Sequence, residues 1–227
     1  MRLNSKIGTL MKNLIILFAT LFVSTPAYAD TIQGAAGGTI LNGSNTVINA
    51  TLDYASKTPD SNWQRYLDVG YIYNETHGIL LKDQVDADAK LDYNLDKHNY
   101  LQGEVRYAFN QLGFNKNKAV FAIGNGYRLI HTKKMKLSFE TSIGMAEATH
   151  LNEFVVRESV WASYNLNSKT HIDEKFLIEH GSVHDYIHNT ASVVFDITNH
   201  VNLSVTNIYI DDYSITKLTT FNIGVKF

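Results

Sequence analysis

Apolar and polar side chains alternate along most of the chain with a period of two residues. Between residues 101 and 109, Leu101, Val105 and Phe109 share one parity, whereas Gln102 and Arg106 share the other. Segments 81–93 and 135–145 follow the same rule. Successive side chains of a strand point to opposite faces, so this pattern predicts β-strands with one apolar and one polar face.

Turn-forming residues divide the alternating pattern into about twelve segments. We expect strands near 31–41, 46–57, 62–74, 79–94, 97–110, 115–131, 134–147, 152–166, 169–182, 185–198, 200–212 and 216–227. The connections between them are short, and tight turns join neighbouring strands in antiparallel order. The sequence therefore predicts an all-β, antiparallel meander with no second domain.

Alternation alone fits both a soluble lipocalin-like barrel and a membrane barrel, which differ in whether the apolar face points inward or outward. The segments match or exceed the length of roughly 9–11 residues with which a strand crosses the hydrocarbon layer. Aromatic residues also fall into two groups, one for each rim, as in the girdles of membrane barrels. We therefore expect a transmembrane β-barrel of about twelve strands with both termini in the periplasm.

The first residues resemble an export signal. Lys12 precedes an apolar run from Leu14 to Val23, and Ala27-Tyr28-Ala29 forms a small-x-small cleavage pattern. The run is too short for a membrane-spanning helix. We expect residues 1–29 to be a cleaved signal peptide and residues 30–227 to form the barrel in the outer membrane of a Gram-negative bacterium.

Composition narrows the function classes. The chain of 227 residues carries 20 Lys and Arg against 22 Asp and Glu, so no basic face for nucleic acid is expected. It has 13 Tyr and only 2 Pro, which suits strands, and no Cys. We predict no cofactor and no metal site. The expected partners are outer-membrane lipid and, during biogenesis, the barrel-assembly machinery.

The last strand ends on alternating large apolar residues. They are Phe221, Ile223, Val225 and Phe227. In a closed barrel the last strand pairs with the first, so the chain is able to end on a rim aromatic. These four residues look like the C-terminal signal that outer-membrane barrels present to their assembly machinery.

Several stretches resemble one known family. They are "GGTILNGSNTVINATLDY", "WQRYLDVGYIYNE", the central region with "EVRY" and "GNGYRLI", "DEKFLIE" and the closing "FNIGVKF". They are similar to the salt-induced outer-membrane protein family, a domain of unknown function catalogued as family 481. The resemblance covers essentially the whole mature chain and implies an outer-membrane β-barrel without a catalytic signature.

The polar face would line the lumen of such a barrel. The residues predicted to do so are Lys82, Asp86, Asp88, Lys90, Asp92, Glu104, Arg106, Arg128, Lys136, Glu140, Arg157 and Lys226. Acids and bases are mixed, so they do not form the single-sign ring that selects ions. Long Arg and Glu side chains are able to fill a twelve-stranded lumen by pairing, which favours a narrow or closed lumen over a wide pore.

Two carboxylates break the alternation. Glu158 shares the parity of Phe154 and Val156, and Glu174 shares that of Phe176. A lipid-facing Glu near mid-membrane is costly. We favour a β-bulge that changes the parity, and a functional carboxylate is the other interpretation.

An enzymatic alternative rests on the stretch "EHGSVHDYIHNT". His180 and Ser182 share a strand face, and a turn near His184 would bring Asn189 opposite His180. Such a Ser-His-Asn set resembles outer-membrane phospholipase A, in which Ser is the nucleophile, His the base and Asn orients the His. The Asn-Gly-Arg that follows in that family is replaced here by Val183-His184-Asp185.

The sequence thus favours an envelope barrel with a structural or small-solute role, linked by its family resemblance to salt or osmotic stress. A narrow channel for ions or small solutes is the main alternative. An outer-membrane lipid hydrolase is the second.

Overall fold

The computed structural model describes residues 29–41, 45–57, 62–112, 116–149, 151–212 and 215–226. Their alternating pattern produces twelve strands in an antiparallel meander. The strands are β1 (Ala29–Leu41), β2 (Asn45–Lys57), β3 (Trp63–Thr76), β4 (Ile79–Asn94), β5 (Asn99–Asn110), β6 (Asn117–His131), β7 (Met135–Ala148), β8 (Leu151–Asn165), β9 (Thr170–His180), β10 (Asp185–Asp196), β11 (Val201–Asp211) and β12 (Ile215–Lys226). The predicted all-β barrel of about twelve strands is confirmed.

The sheet closes because β12 pairs with β1 as well as with β11. Gln33 lies opposite Lys226, and Gly38 lies opposite Phe221. Each strand therefore has a hydrogen-bonded neighbour on both sides, as a barrel in the hydrocarbon of a membrane requires. We call the end of the barrel at which β1 starts and β12 finishes the terminal end, and the opposite end the distal end.

The predicted strand positions agree with the observed ones to within a few residues. For β4 both ends are as predicted. The predicted signal peptide lies outside the described residues except for Ala29, with which β1 begins. In the described part of the chain, no helix has the length and apolar character needed to cross a membrane.

Two turns show why the chain reverses where it does. At the distal end His77 and Gly78 both have positive φ, 52° and 75°, as a two-residue hairpin turn with the twist of the strands requires. At the terminal end, between β4 and β5, the Asp96 carboxylate accepts hydrogen bonds from the Asn99 side chain, the Asn99 backbone and the His98 backbone. These hydrogen bonds hold the pKa of Asp96 at about 2.

The outer face of the barrel is apolar. Large side chains such as Ile123, Ile143 and Phe154 expose more than half of their surface there, at 54%, 52% and 59%. At the terminal rim, Trp63 packs against Tyr93 with ring centroids 4.8 Å apart. Exposure of this kind is disfavoured in water and suits lipid, which solvates the outer face of membrane barrels.

Candidate functional site in the barrel interior

Charged side chains of β5, β6, β8 and β9 meet inside the barrel where its distal half begins. The Arg157 guanidinium on β8 lies 2.7 Å from a Glu104 carboxylate oxygen on β5 and 3.2 Å from one of Glu179 on β9. The second Glu179 oxygen lies 2.6 Å from the Lys118 ammonium on β6. Arg157 and Glu179 are almost completely buried, so these ion pairs belong to the packed interior of the barrel.

A second cluster of interacting side chains, centred on Arg106, lies beside these ion pairs. The Arg106 guanidinium on β5 lies 2.9 Å from the Asp86 carboxylate and donates a hydrogen bond of 2.5 Å to the Tyr186 hydroxyl on β10. It also stacks 4.0 Å from the centre of the Tyr186 ring. We call Asp86, Glu104, Arg106, Lys118, Arg157 and Glu179 the ion-pair layer.

Apolar side chains fill the interior around the ion-pair layer. One buried cluster consists of Ile72, Leu177, Tyr186, Ile208, Ile210 and Leu218. A second, smaller cluster contains Val120, Ala146 and Val155 from β6, β7 and β8. Because most of these residues lie in the distal half of their strands, the described side chains pack this half of the lumen as a core.

The terminal half contains a cavity of about 1000 Å³, which we call the vestibule. Its inner end is lined by Glu104 and Arg157 of the ion-pair layer. At the terminal turns it is lined by Asn62, Asp96 and Lys97. The vestibule is therefore a polar pocket that extends from the terminal turns to the ion-pair layer.

One wall of the vestibule is organised around Glu140 on β7. Its carboxylate lies 2.5 Å from the Lys90 ammonium and accepts hydrogen bonds from Tyr100 and Ser159, at 2.6 Å and 2.9 Å. The Arg128 guanidinium stacks on the opposite part of this wall, 4.2 Å from the centre of the Tyr100 ring. These contacts join β4 to β7 and β8 across the interior and fix the shape of the vestibule.

An indole ring lies on the same wall, nearer the terminal end. Trp161 on β8 lines the vestibule and exposes 38% of its surface. The Lys136 ammonium is 5.8 Å from the centre of this ring. A solute entering from the terminal end would meet an aromatic face flanked by charged groups, an arrangement that suits small polar solutes with some apolar surface.

The residues predicted to line the lumen occupy three levels of the barrel. Lys82, Asp86 and Arg106 lie toward the distal end, with Lys82 only 3% exposed. The vestibule is lined by Asp88, Lys90, Asp92, Glu104, Arg128, Lys136, Glu140 and Arg157. At the terminal rim Lys226 forms an ion pair of 2.7 Å with Asp196.

The structure does not assemble the hydrolase set. The residue opposite His180 is Asp185 rather than Asn189, and the His180 ring lies 3.2 Å from its carboxylate. The Ser182 hydroxyl donates to Glu153 at 2.9 Å, and the Asn189 amide donates to Glu174 at 3.1 Å on the outer face. The expected pairing of Asn189 with His180 is wrong because the β9–β10 turn is centred between Ser182 and Val183 rather than near His184, which places Asn189 opposite Phe176.

The expectation of a bulge at Glu158 and Glu174 is wrong as well. The pairings of β8 with β7 and β9, and of β9 with β10, run without a register shift. Glu158 and Glu174 therefore stay on the outer face beside Phe154 and Phe176. The one irregularity of β6 lies elsewhere, between Arg128 and Ile130.

The residues of the predicted assembly signal lie on the outer face of β12. Phe221, Ile223 and Val225 expose 62%, 61% and 38% of their surface. Phe227 lies outside the described residues. Their role as an assembly signal stays a prediction.

Sequence reasoning missed the apolar side chains inside the barrel. Ile208 and Ile210 have the parity of Ser204 and Thr206, and Leu177 has the parity of Lys175. The sequence does indicate these inward apolar side chains, because they occupy positions of the otherwise polar face in the distal half of their strands. They distinguish a filled lumen from a water-filled one.

A closed twelve-stranded barrel with an apolar outer face and a charged interior has the architecture of outer-membrane β-barrel proteins. The chain belongs to the family described as "Protein of unknown function, DUF481", whose model matches residues 34–227. No curated protein matches it in sequence.

Two porins are among the solved structures with a similar fold. A structure of the NanC porin is 11% identical with a TM-score of 0.56, and the match covers 86% of this chain and 98% of that one. The KdgM porin is 8% identical with a TM-score of 0.50, covering 87% and 98%. At these identities the likeness shows the fold.

Proposed function

We propose that the protein is an outer-membrane barrel that admits ions or small solutes into its vestibule and passes them only when the ion-pair layer rearranges. The apolar outer face supports a membrane location, and the apparent export signal supports the outer membrane. In this proposal the terminal end faces the periplasm. The protein is thus a narrow, normally closed channel rather than an open pore.

The observation that carries the proposal is the position of the ion-pair layer. Arg157 joins Glu104, three strands away on β5, to Glu179, its directly paired neighbour on β9, and the vestibule ends at this contact. Removal of a charged partner from a buried pair leaves the other charges uncompensated, and water is then the most favourable replacement. Loss of the Arg157 side chain should therefore let water advance from the vestibule into the ion-pair layer and weaken the closure of the lumen there.

The test is single-channel conductance of the refolded mature chain in a planar bilayer. The wild type should give no steps or only small, brief ones. Arg157→Ala should raise the open time and the conductance severalfold. The lumen of this variant should prefer cations, because Glu104 and Glu179 then lose their guanidinium partner.

The matched control is Lys217→Ala, which removes one positive charge from the outer face near Tyr209 and leaves the lumen unchanged. It should behave as the wild type. If correctly folded Arg157→Ala and Arg106→Ala barrels are both as silent as the wild type, the channel proposal is contradicted. A purely structural role in the envelope would then remain.

A role in salt or osmotic stress is part of the proposal and follows from the family resemblance alone. A deletion strain should grow more slowly than its parent at high NaCl and equally well at low NaCl. Complementation with the wild-type gene should restore growth. Equal growth of both strains across the salt range would remove this part of the proposal.

A further inference from the structure

Three polar side chains form a row on the outer face of the barrel. Asn125 on β6 pairs with Thr141 on β7, and Thr141 pairs with Glu158 on β8. All three side chains are exposed. Adjacent members of such a row lie roughly 5 Å apart, so the whole row is about 10 Å wide. We call these three residues the polar row.

The polar row lies between apolar rows on both sides. Toward the terminal end it is followed by the directly paired outward residues Tyr127, Phe139 and Val160, and toward the distal end by Ile123, Ile143 and Val156. The polar row therefore lies within the lipid-facing band and away from both rims.

Within the described residues, no partner on the same barrel satisfies the polar row. Two other pairs of outward polar side chains satisfy each other, since the Asn189 amide donates to Glu174 and the Thr219 hydroxyl donates to Asn207 at 2.9 Å. Lipid tails offer neither donors nor acceptors. An unpaired amide or carboxyl in hydrocarbon costs several kcal/mol, so something polar should cover this row.

We propose that the polar row is the contact surface for a second copy of this chain, in a symmetric dimer within the membrane. Both copies enter the membrane in the same orientation, so their two-fold axis runs along the membrane normal. With the axis near Thr141, the Glu158 carboxylate of one copy accepts hydrogen bonds from Thr141 and Asn125 of the second copy. The rows on either side supply apolar contacts.

The chemistry of the row favours a second copy over another partner. The Asn125 amide, a donor, lies at one end of the row and the Glu158 carboxylate, an acceptor, at the other. The Thr141 hydroxyl, a second donor, lies between them. A two-fold rotation places the donor end against the acceptor end twice. The equivalent part of the outer face on β4, around Ala87, is lined by Val69, Val85 and Ala89 and offers no such match.

The absence of cysteine from the chain makes a direct test possible. Thr141→Cys places one thiol next to the proposed axis, where it meets the same thiol of the second copy. Mild oxidation of intact outer membranes should convert most of this variant into a disulfide-linked species of twice the monomer mass. The matched control, Ala87→Cys on the outer face of β4, three strands away from β7, should stay monomeric.

Glu158→Ala in the Thr141→Cys background should lower the cross-linked fraction severalfold, whereas Glu158→Gln, which still accepts hydrogen bonds, should lower it less. Heat-dependent gel migration verifies that each variant is folded. Equal cross-linking at positions 141 and 87 would indicate random collision. That result, a folded Thr141→Cys barrel that stays monomeric, or cross-linking that ignores Glu158→Ala, would overturn the proposal.

Discussion

The contact between Tyr100 and Gly126 shows how one missing side chain shapes the vestibule. The two residues lie opposite each other on β5 and β6, and both face the interior. A Cβ on Gly126 would lie 2.0 Å from the Tyr100 ring. The glycine thus lets the ring lie against the wall, from where its hydroxyl reaches Glu140.

We predict that Gly126→Ala destabilises the barrel by about 1–3 kcal/mol, the usual cost of overpacking a filled interior. The added methyl group displaces Tyr100, and Glu140 then loses one of its hydrogen-bond donors. Urea unfolding of the barrel in lipid vesicles, followed by tryptophan fluorescence, measures the change.

Gly70→Ala is the matched control, because a Cβ on Gly70 meets nothing within 4 Å. It should change stability by less than about 0.5 kcal/mol, as substitutions away from tight contacts do. If both substitutions change the free energy of unfolding equally, the contact between Gly126 and Tyr100 does not contribute to stability.

For single residues, the alternation of apolar and polar positions predicted correctly which face of the barrel most side chains occupy. It did not explain why Glu158 lies on the outer face. Sequence reasoning assumed that a carboxyl group avoids lipid and therefore introduced a bulge. The structure keeps the regular pairing of Thr141 with Glu158 and leaves the carboxyl group outside. The strand geometry determines whether a side chain points to the lipid or to the lumen. A carboxyl group that points to the lipid then needs a hydrogen-bond partner outside its own barrel.

Among the strands, β12 combines two roles. It closes the barrel by pairing with β1 and β11, and it carries Phe221, Ile223 and Val225 on its outer face. Replacement of a residue that only contacts lipid should lower the folded fraction equally in cells and on refolding in vitro. Replacement of a residue that binds the assembly machinery should lower the folded fraction more in cells.

We therefore predict that Ile223→Asn strongly lowers the amount of folded barrel in cells, while refolding of the same variant from urea into vesicles falls much less. Heat-dependent gel migration measures the folded fraction in both settings. Leu52→Asn is the comparison, since Leu52 on β2 is similarly exposed at 47% and lies outside the polar row and its neighbours. If both variants lose the same fraction in cells, β12 carries no special signal.

Strand limits were predictable because turn residues mark them in the sequence. The β4 strand from Ile79 to Asn94 follows directly from the neighbouring Gly78 and from Asn94 itself. The irregularity between Arg128 and Ile130 was not predictable, because Leu129 continues an apolar pattern that gives no sign of a register shift. Such a shift depends on the fit between two strands rather than on either one.

On the scale of the whole molecule, the two tryptophans report on opposite faces. Trp63 lies on the outer rim against Tyr93, and Trp161 lines the vestibule. We predict that brominated lipid quenches the fluorescence of Trp63, measured in a Trp161→Phe variant. A water-soluble quencher such as iodide should instead reach Trp161, measured in a Trp63→Phe variant.

The reverse assignment of the two quenchers would place the apolar face inside the barrel and contradict the membrane arrangement. Quenching of Trp161 by neither reagent would mean that the vestibule is closed to solution.

The interior shows where sequence reasoning stops. A mixed set of charges and a narrow lumen could be proposed from composition and parity. The division into a packed distal half and a vestibule could not, because it depends on contacts between strands that are far apart in the chain, such as Glu104 with Arg157 and Lys90 with Glu140. Pairing across a lumen has no local signature.

The ion-pair layer has an electrical consequence. If the vestibule holds electrolyte, it conducts far better than the packed distal half, so a voltage applied across the membrane falls almost entirely over the thin packed region. Moving one charge through 100 mV is worth about 2.3 kcal/mol. Arg106 and Arg157 then lie where the potential changes most steeply, and the packed distal half acts as the dielectric of a capacitor that contains these charges.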